Sequence, residues 1–234
     1  MVSKGLLDWP DCVNARDLGG LPLAAGGATR HGALVRSDSA DRLDATGWDA
    51  LLAHGVRTVI DLRNDDERAS IDGRPAAVET LVLAHDGLDE HPDFWATWWD
   101  DPRFATPRYF APHLDRFPHR SARVLQAIAH ARPGGVLVHC QGGRDRTGLI
   151  SMLALAVVGV TPEAIAADYA RSFEGTARQP TDAKVLAALD GATPQAAVLD
   201  VLKTTNIDDA LARGGFTARD AAALRARLTS PGSA

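Results

Sequence analysis

The sequence predicts an α/β fold, a central mostly parallel sheet flanked by helices with a helical C-terminal third, in one domain over residues 1–234. Three observations carry this. Short β-branched runs alternate with segments of helical apolar spacing as far as Gly159, helical patterns alone follow, and no low-complexity linker or internal repeat divides the chain. A length of 234 residues suits one domain.

In order along the chain, Asn14–Gly20 reads as a short extended segment closed by a Gly-Gly turn, and Gly32–Ser37 as a strand with a polar end. Asp44 or Thr46 caps a helix reaching His54, with Trp48, Leu51 and Leu52 on one face and Gly55 as its stop. Val56–Arg63 is a second strand, bounded by the polar cluster Asn64–Glu67, and Glu79–Leu83 a third. From His85 to His119 the texture is acidic, aromatic and interrupted by proline. Within it Phe94/Trp98 and Trp95/Trp99 stand four apart, which predicts one amphipathic helix that packs on the core or forms a stacking wall. A helix opens at Ser121, Pro133-Gly134-Gly135 turns it into the strand Val136–Val138, and the apolar run Leu149–Val160 is a buried helix. Further helices are expected over Thr161–Tyr169, Thr181–Asp190, Thr193–Lys203 and Thr217–Leu228, with a frayed tail at Ser230–Ala234.

Composition excludes several classes. A net charge of −5, with acids spread along the chain, argues against a nucleic-acid or anionic-membrane binder. Only Cys12 and Cys140 are present, too few for a disulfide scaffold, and Met1–Asn14 lacks the pattern of a secretory signal, so a cytoplasmic location is expected. The run Leu149–Val160 falls short of the roughly 18 residues that span a bilayer, so no transmembrane segment is expected.

The chemistry concentrates in His139-Cys140-Gln141-Gly142-Gly143-Arg144-Asp145-Arg146-Thr147-Gly148. A strand leading into a glycine-rich turn and a helix puts backbone N–H groups and the helix dipole at one point, where an anion is held. Cys140 lies at the base of that turn and Arg146 six residues on, so a thiolate and a guanidinium fork meet the same phosphate. Gly142 and Gly143 allow the close approach that a Cβ would forbid. Donors fixed around the loop meet the charge of an in-line phosphoryl transfer without reorganising, and a phosphocysteine would form and then be cleaved by water. Asp145 is the nearest acid for the leaving group. Thr147 either donates to the Cys140 sulfur or caps the helix.

At these residues the chain resembles the cysteine-dependent protein tyrosine phosphatases, and within them an atypical bacterial branch. That branch carries His-Cys-x-x-Gly-Lys-Asp-Arg-Thr-Gly, matched by His139–Gly148 with Arg144 in place of the lysine. Three further motifs occur in the family's order: Asn-x-Arg-Asp-Leu-Gly-Gly at Asn14–Gly20, Arg36-Ser37 after a strand, and Asp61-Leu62-Arg63 at a strand end. The resemblance implies a protein-tyrosine-phosphatase-like fold with Cys140 as nucleophile, Arg146 as phosphate clamp and Asp145 as general acid. Gln141, Gly142, Gly143, Arg144 and Thr147 would complete the phosphate site, with His139, Arg16, Asp17, Arg36 and Arg63 in support. It implies no metal and no cofactor, and a phosphorylated protein or a small-molecule phosphate as substrate. An arginine at 144 keeps the positive charge but replaces a flexible ammonium by a planar fork, which puts substrate choice in question.

Other features carry bland expectations. Trp9-Pro10-Asp11 spells the acid loop of larger tyrosine phosphatases but stands far upstream of the cysteine, so Asp145 is preferred to Asp11. Asp86, Asp89, Asp93, Asp100 and Asp101 remain candidate acids on the irregular segment. His85, His91, His113 and His119 lack metal-ligand spacing and are expected to be solvated. Cys12 is expected to be a small apolar residue. Two other functions compete with a phosphatase: a catalytically silent reader of phosphorylated ligands, and a thiol redox protein such as an arsenate reductase, which would want further resolving cysteines.

Overall fold

The computed structural model describes residues 6–68, 74–174 and 179–230. Five strands form one sheet in the order β1-β2-β5-β3-β4, from β1 (Arg16–Asp17), β2 (Leu34–Ser37), β3 (Val56–Asp61), β4 (Glu79–Val82) and β5 (Gly135–His139). The pairs β2–β5, β5–β3 and β3–β4 are parallel and β1–β2 is antiparallel, so the expected mostly parallel sheet is observed.

Central parallel strands are covered on both faces, so they read as continuous apolar runs whose side chains nevertheless alternate. In β5, Val136 and Val138 join the larger core while Leu137 joins the smaller; in β3, Ile60 and Val59 divide the same way. The smaller core is closed by α1 (Ala45–Ala53), which Asp44 caps by accepting from the Gly47 N–H at 2.8 Å and which buries Trp48 and Leu51. The larger core holds α4 (Pro118–His130), α5 (Asp145–Val157), α6 (Pro162–Ala170), α8 (Pro194–Thr204) and α10 (Ala218–Leu228), and α7 (Asp182–Ala188) falls between α6 and α8 in the chain. The α5 helix is apolar almost all round because other elements surround it. Thr217 and Asp220 form the capping box of α10.

The segment read as irregular is more helical than expected. It holds α2 (Pro92–Trp98) and α3 (Phe110–Arg116), and α4 starts at Pro118 rather than Ser121. Pro112 lies in the first turn of α3 and Pro118 opens α4, positions where a missing N–H costs no intrahelical bond. A ninth helix, α9 (Ile207–Arg213), was not expected; Asn206 caps it, accepting from the Asp209 N–H at 3.1 Å. Of the expected tail, 231–234 lie outside the described residues. No described helix is long and apolar enough to cross a membrane.

Candidate active site

The strand β5 ends at His139 and α5 begins at Asp145, so residues 140–144 form a loop between a buried strand and a helix N-terminus. Its carbonyls face away from its centre. Gln141 O accepts from the Ser39 N–H at 3.1 Å, Gly142 O from Asn14 Nδ2 and Gln179 Nε2 at 3.0 Å each, and Gly143 O from Arg36 Nη2 at 2.7 Å. Across a trans peptide the N–H points opposite to the C=O, so the N–H groups of Gly142, Gly143 and Arg144 turn inward. They have no acceptor among the described residues. Gly143 sits at φ +67, and a Cβ there would lie 2.4 Å from Ser37 O, so the turn needs glycine on both counts.

The underside of this loop is an ion-pair node. Arg16 and Arg36, at 0 % and 1 % exposure, reach opposite oxygens of Asp168 at 2.6 Å each. Arg16 also donates to the Asp168 carbonyl, Ser172 Oγ and Asn14. Burial alone would raise the Asp168 pKa, but the two guanidiniums outweigh it and hold it at about 2. Arg16 and Arg36 therefore brace the loop from below and line neither of the cavities beside Cys140. Arg63 is likewise spent on Asp61, Asp41 and Ser39, and Asp17 on His54 and the Gly19 and Gly32 N–H groups. His139 is fully buried, its Nδ1 donating to Cys140 O at 3.1 Å, and burial lowers its pKa against the pull of Asp61.

The upper side is open. Cys140, Gln141, Gly142, Arg144, Asp145 and Arg146 line one cavity of about 370 Å³. A second, of about 350 Å³, shares Asp145, Arg146, Trp99, Phe104 and Ala105 with the first and adds Glu67, Asp86 and Tyr109. Arg146 stands between them, gripped by both Glu67 oxygens at 2.5 and 2.6 Å and by Asp86 at 3.1 Å. Burial works against its charge, but the Glu67 bonds and Asp86 overcome it and raise its pKa. Burial raises the Asp145 pKa against the opposing charge of Arg144, and likewise that of Asp86 against Arg146. Both pKa values lie above the ordinary carboxylate value, and Asp145 alone of the two lines the cavity that holds Cys140.

Arg144 is placed differently from the expectation that it grips substrate. Its Nη1 meets Asp182 at 2.5 Å, its Nη2 meets Thr181 Oγ1 at 3.3 Å, its Nε meets Asp145 at 3.2 Å, and its guanidinium carbon lies 5.0 Å from the Phe173 ring. With 2 % exposure it ties the loop to α7. Thr147 Oγ1 is buried without a hydrogen-bond partner, so the expected bond to the Cys140 sulfur is not formed.

Other expectations fare unevenly. His85 and His113 are buried rather than solvated. Their rings stack at 4.5 Å with planes 28° apart, and with Asp86 they bring ligand atoms within 4.8 Å of one another. Stacked rings aim their lone pairs side by side rather than at one ion, and Asp86 is already engaged by Arg146 and Asn64. Asp86 braces Arg146, while the His85 ring bonds Ser121 Oγ and the His113 ring bonds the His85 carbonyl. His113 has its pKa pushed down to about 3 by burial, and so packs as a neutral ring. The aromatic helix α2 packs on the core, one of the two alternatives expected of it, with Trp95 buried; Trp99, just past its end, is 58 % exposed and lines both cavities. Among the candidate acids, Asp93 pairs with Arg116 and Asp101 with Arg103, and Asp11 lines neither cavity. Cys12 donates to Ser39 O at 3.9 Å, and burial pushes its thiol up to about 12.

Sequence reasoning missed Glu67, Asp168 and Asp182. The spacing Asn64–Glu67 is a capping-box signal that could have drawn attention to Glu67, and Asp168 is an acid on the buried face of α6 between Ile165 and Tyr169.

The model of the tyrosine phosphatase family matches residues 7–230. The chain is 32% identical over 174 residues to the triple specificity protein phosphatase PtpB of Mycobacterium tuberculosis, covering 62% of each protein. It is 30% identical over 179 residues to a putative tyrosine-protein phosphatase of Cupriavidus necator, covering 70% of this chain and 62% of that one. The chain thus spans about three fifths of the length of these relatives. A crystal structure of P. aeruginosa TpbA in complex with pTyr aligns over 80% of this chain and 90% of that one, with 20% identity and a TM-score of 0.45. With the family model spanning nearly all of its length, the chain belongs to the tyrosine phosphatase family.

Proposed function

We propose that this protein is a metal-independent phosphomonoester hydrolase that works through a phosphocysteine at Cys140, with phosphotyrosine on protein as its main substrate. One observation carries the reading: Cys140, Arg146 and Asp145 line one cavity, at the N-terminus of α5, over inward-turned backbone N–H groups. The Cys140 thiolate attacks phosphorus in line with the ester oxygen, and the P–O bond breaks as the S–P bond forms. Asp145, whose pKa lies above the ordinary carboxylate value, passes its proton to the departing oxygen. Arg146 and the loop N–H groups hold the three equatorial oxygens, and the incoming phosphate takes the place of Glu67 on the guanidinium fork. Water then attacks the phosphocysteine, giving its proton to the Asp145 carboxylate, and the thiolate leaves. The Thr147 hydroxyl, without a partner in the resting structure, would donate to that sulfur as it leaves.

Trp99 and Phe104 favour an aryl phosphate, because they offer ring faces beside the phosphate site. A cytoplasmic setting suits two free thiols. The competing reading within the class is a phosphorylated metabolite, nucleotide or phosphoinositide, and comparing kcat/KM across phosphopeptides, nucleotides, sugar phosphates and inositol phosphates decides between them. The mechanism is tested with p-nitrophenyl phosphate in the presence of a chelator. The unaltered protein should turn it over and Cys140→Ser should not; full activity in the variant overturns the mechanism.

A further inference from the structure

The charged groups around the Cys140 cavity are almost all committed to one another. Arg144 is held by Asp182, Asp145 and Thr181, Arg146 by Glu67 and Asp86, and Asp101 by Arg103. Lys184 is the exception among the cations. It lines the cavity from α7 and forms no ion pair or hydrogen bond among the described residues. Its direction follows from the helix: Thr181, Lys184 and Val185 stand at i, i+3 and i+4, one face, and all three line the cavity.

That face is held in place. Arg144 fastens the start of α7 through Asp182 and Thr181, Asp182 Oδ2 accepts from the Gln179 N–H at 2.9 Å, and the Gln179 side chain bonds Gly142 O. The arginine that departs from the family's lysine lines the cavity too, but its charge is committed to Asp182 and Asp145. The uncommitted positive charge at the cavity comes from the latched helix. On the wall formed by Trp99–Ala105 the uncommitted group is the Asp100 carboxylate, so the cavity is polarised, positive on the α7 side and negative on the other.

We infer that Lys184 is a specificity-determining residue that reads an acidic side chain next to the phosphorylated residue of a protein substrate. The inference rests on the phosphatase reading above and adds to it the local charge of the substrate. Lys184 stays outside the chemical step, since Arg146 and the loop donors hold the phosphate.

The test uses the full chain and two phosphotyrosine peptides of one sequence, with the residues flanking phosphotyrosine either glutamate or lysine. The unaltered protein should prefer the acidic peptide in kcat/KM, and the preference should shrink as salt rises. Lys184→Glu should shift the acidic-to-basic ratio roughly three- to tenfold toward the basic peptide, the size expected of one solvent-facing charge pair. Lys184→Ala should fall between. Hydrolysis of p-nitrophenyl phosphate, which lacks flanking residues, should persist in all three and reports separately on the phosphatase reading. An unchanged ratio in Lys184→Glu, with that hydrolysis intact, overturns the role of Lys184; an inactive unaltered protein overturns the phosphatase reading itself.

Discussion

The two sides of the loop between β5 and α5 are built on opposite principles. Below it, Arg16, Arg36 and Asp168 are buried, and the carboxylate oxygens each take one guanidinium at 2.6 Å. Above it, Arg146 is held by carboxylates that line an open cavity, and Asp145 has a raised pKa. The difference teaches how a charged loop keeps one shape: fully buried ion pairs set the backbone, and ion pairs that line the cavity face the proposed substrate. Removing one partner from the lower node leaves a buried charge uncompensated, whereas removing one from the upper side changes chemistry while the fold remains.

This contrast can be broken from either side. The largest effect on activity is expected at the top: Cys140→Ser should cost roughly 10³-fold or more in kcat, as loss of a nucleophile does, with thermal unfolding unchanged. Asp145→Asn should lower kcat by roughly 10²–10⁴-fold, the range for general acid catalysis, and should flatten the alkaline limb of the pH–rate profile. The sign follows from the raised pKa: the acid is needed protonated, so activity falls as pH climbs through that pKa, which lies above the ordinary carboxylate value. Arg146→Lys should lower kcat by roughly 10²-fold while leaving stability within about 1 kcal/mol, because an ammonium keeps the charge and loses the fork.

The bottom should answer the other way. Asp168→Asn is expected to destabilise the fold by about 3–5 kcal/mol in denaturant titrations, as breaking a buried pair does, and to lose activity only as far as the loop loosens. Because the folded-state pKa of Asp168 is about 2, below the ordinary 3.8, its contribution is complete above about pH 4 and is lost as pH falls through about 2. Acid unfolding of the unaltered protein should therefore be steep in that window and shallower in Asp168→Asn. The smallest effect is expected at the latch, where Asp182→Asn should alter peptide kcat/KM more than p-nitrophenyl phosphate turnover.

The same contrast explains what was legible in the sequence. Cys140, Arg146 and Asp145 lie within one short run, so their meeting follows from a strand, a turn and a helix. Asp168 is 152 residues from Arg16 and 132 from Arg36, and only the sheet order, with β5 inserted between β2 and β3, brings them together. No local pattern encodes that. The partners of Arg144 were hidden for a related reason: it lines the cavity as its place in the motif suggests, but Asp182 and Phe173, which hold its guanidinium, are remote in sequence. The strands and most helices were readable from period and caps, while α3 and α9 were hidden by Pro112 and by short length.

The central claim is that Cys140 carries the phosphoryl group. Mixing the protein with a phosphotyrosine peptide, quenching in acid within one turnover and mapping by mass spectrometry should find one phosphoryl group on the fragment containing Cys140, absent in Cys140→Ser. Turnover of the peptide with no phosphoryl group on Cys140 at any quench time, even in an Asp145→Asn variant slowed at the water step, would contradict the account.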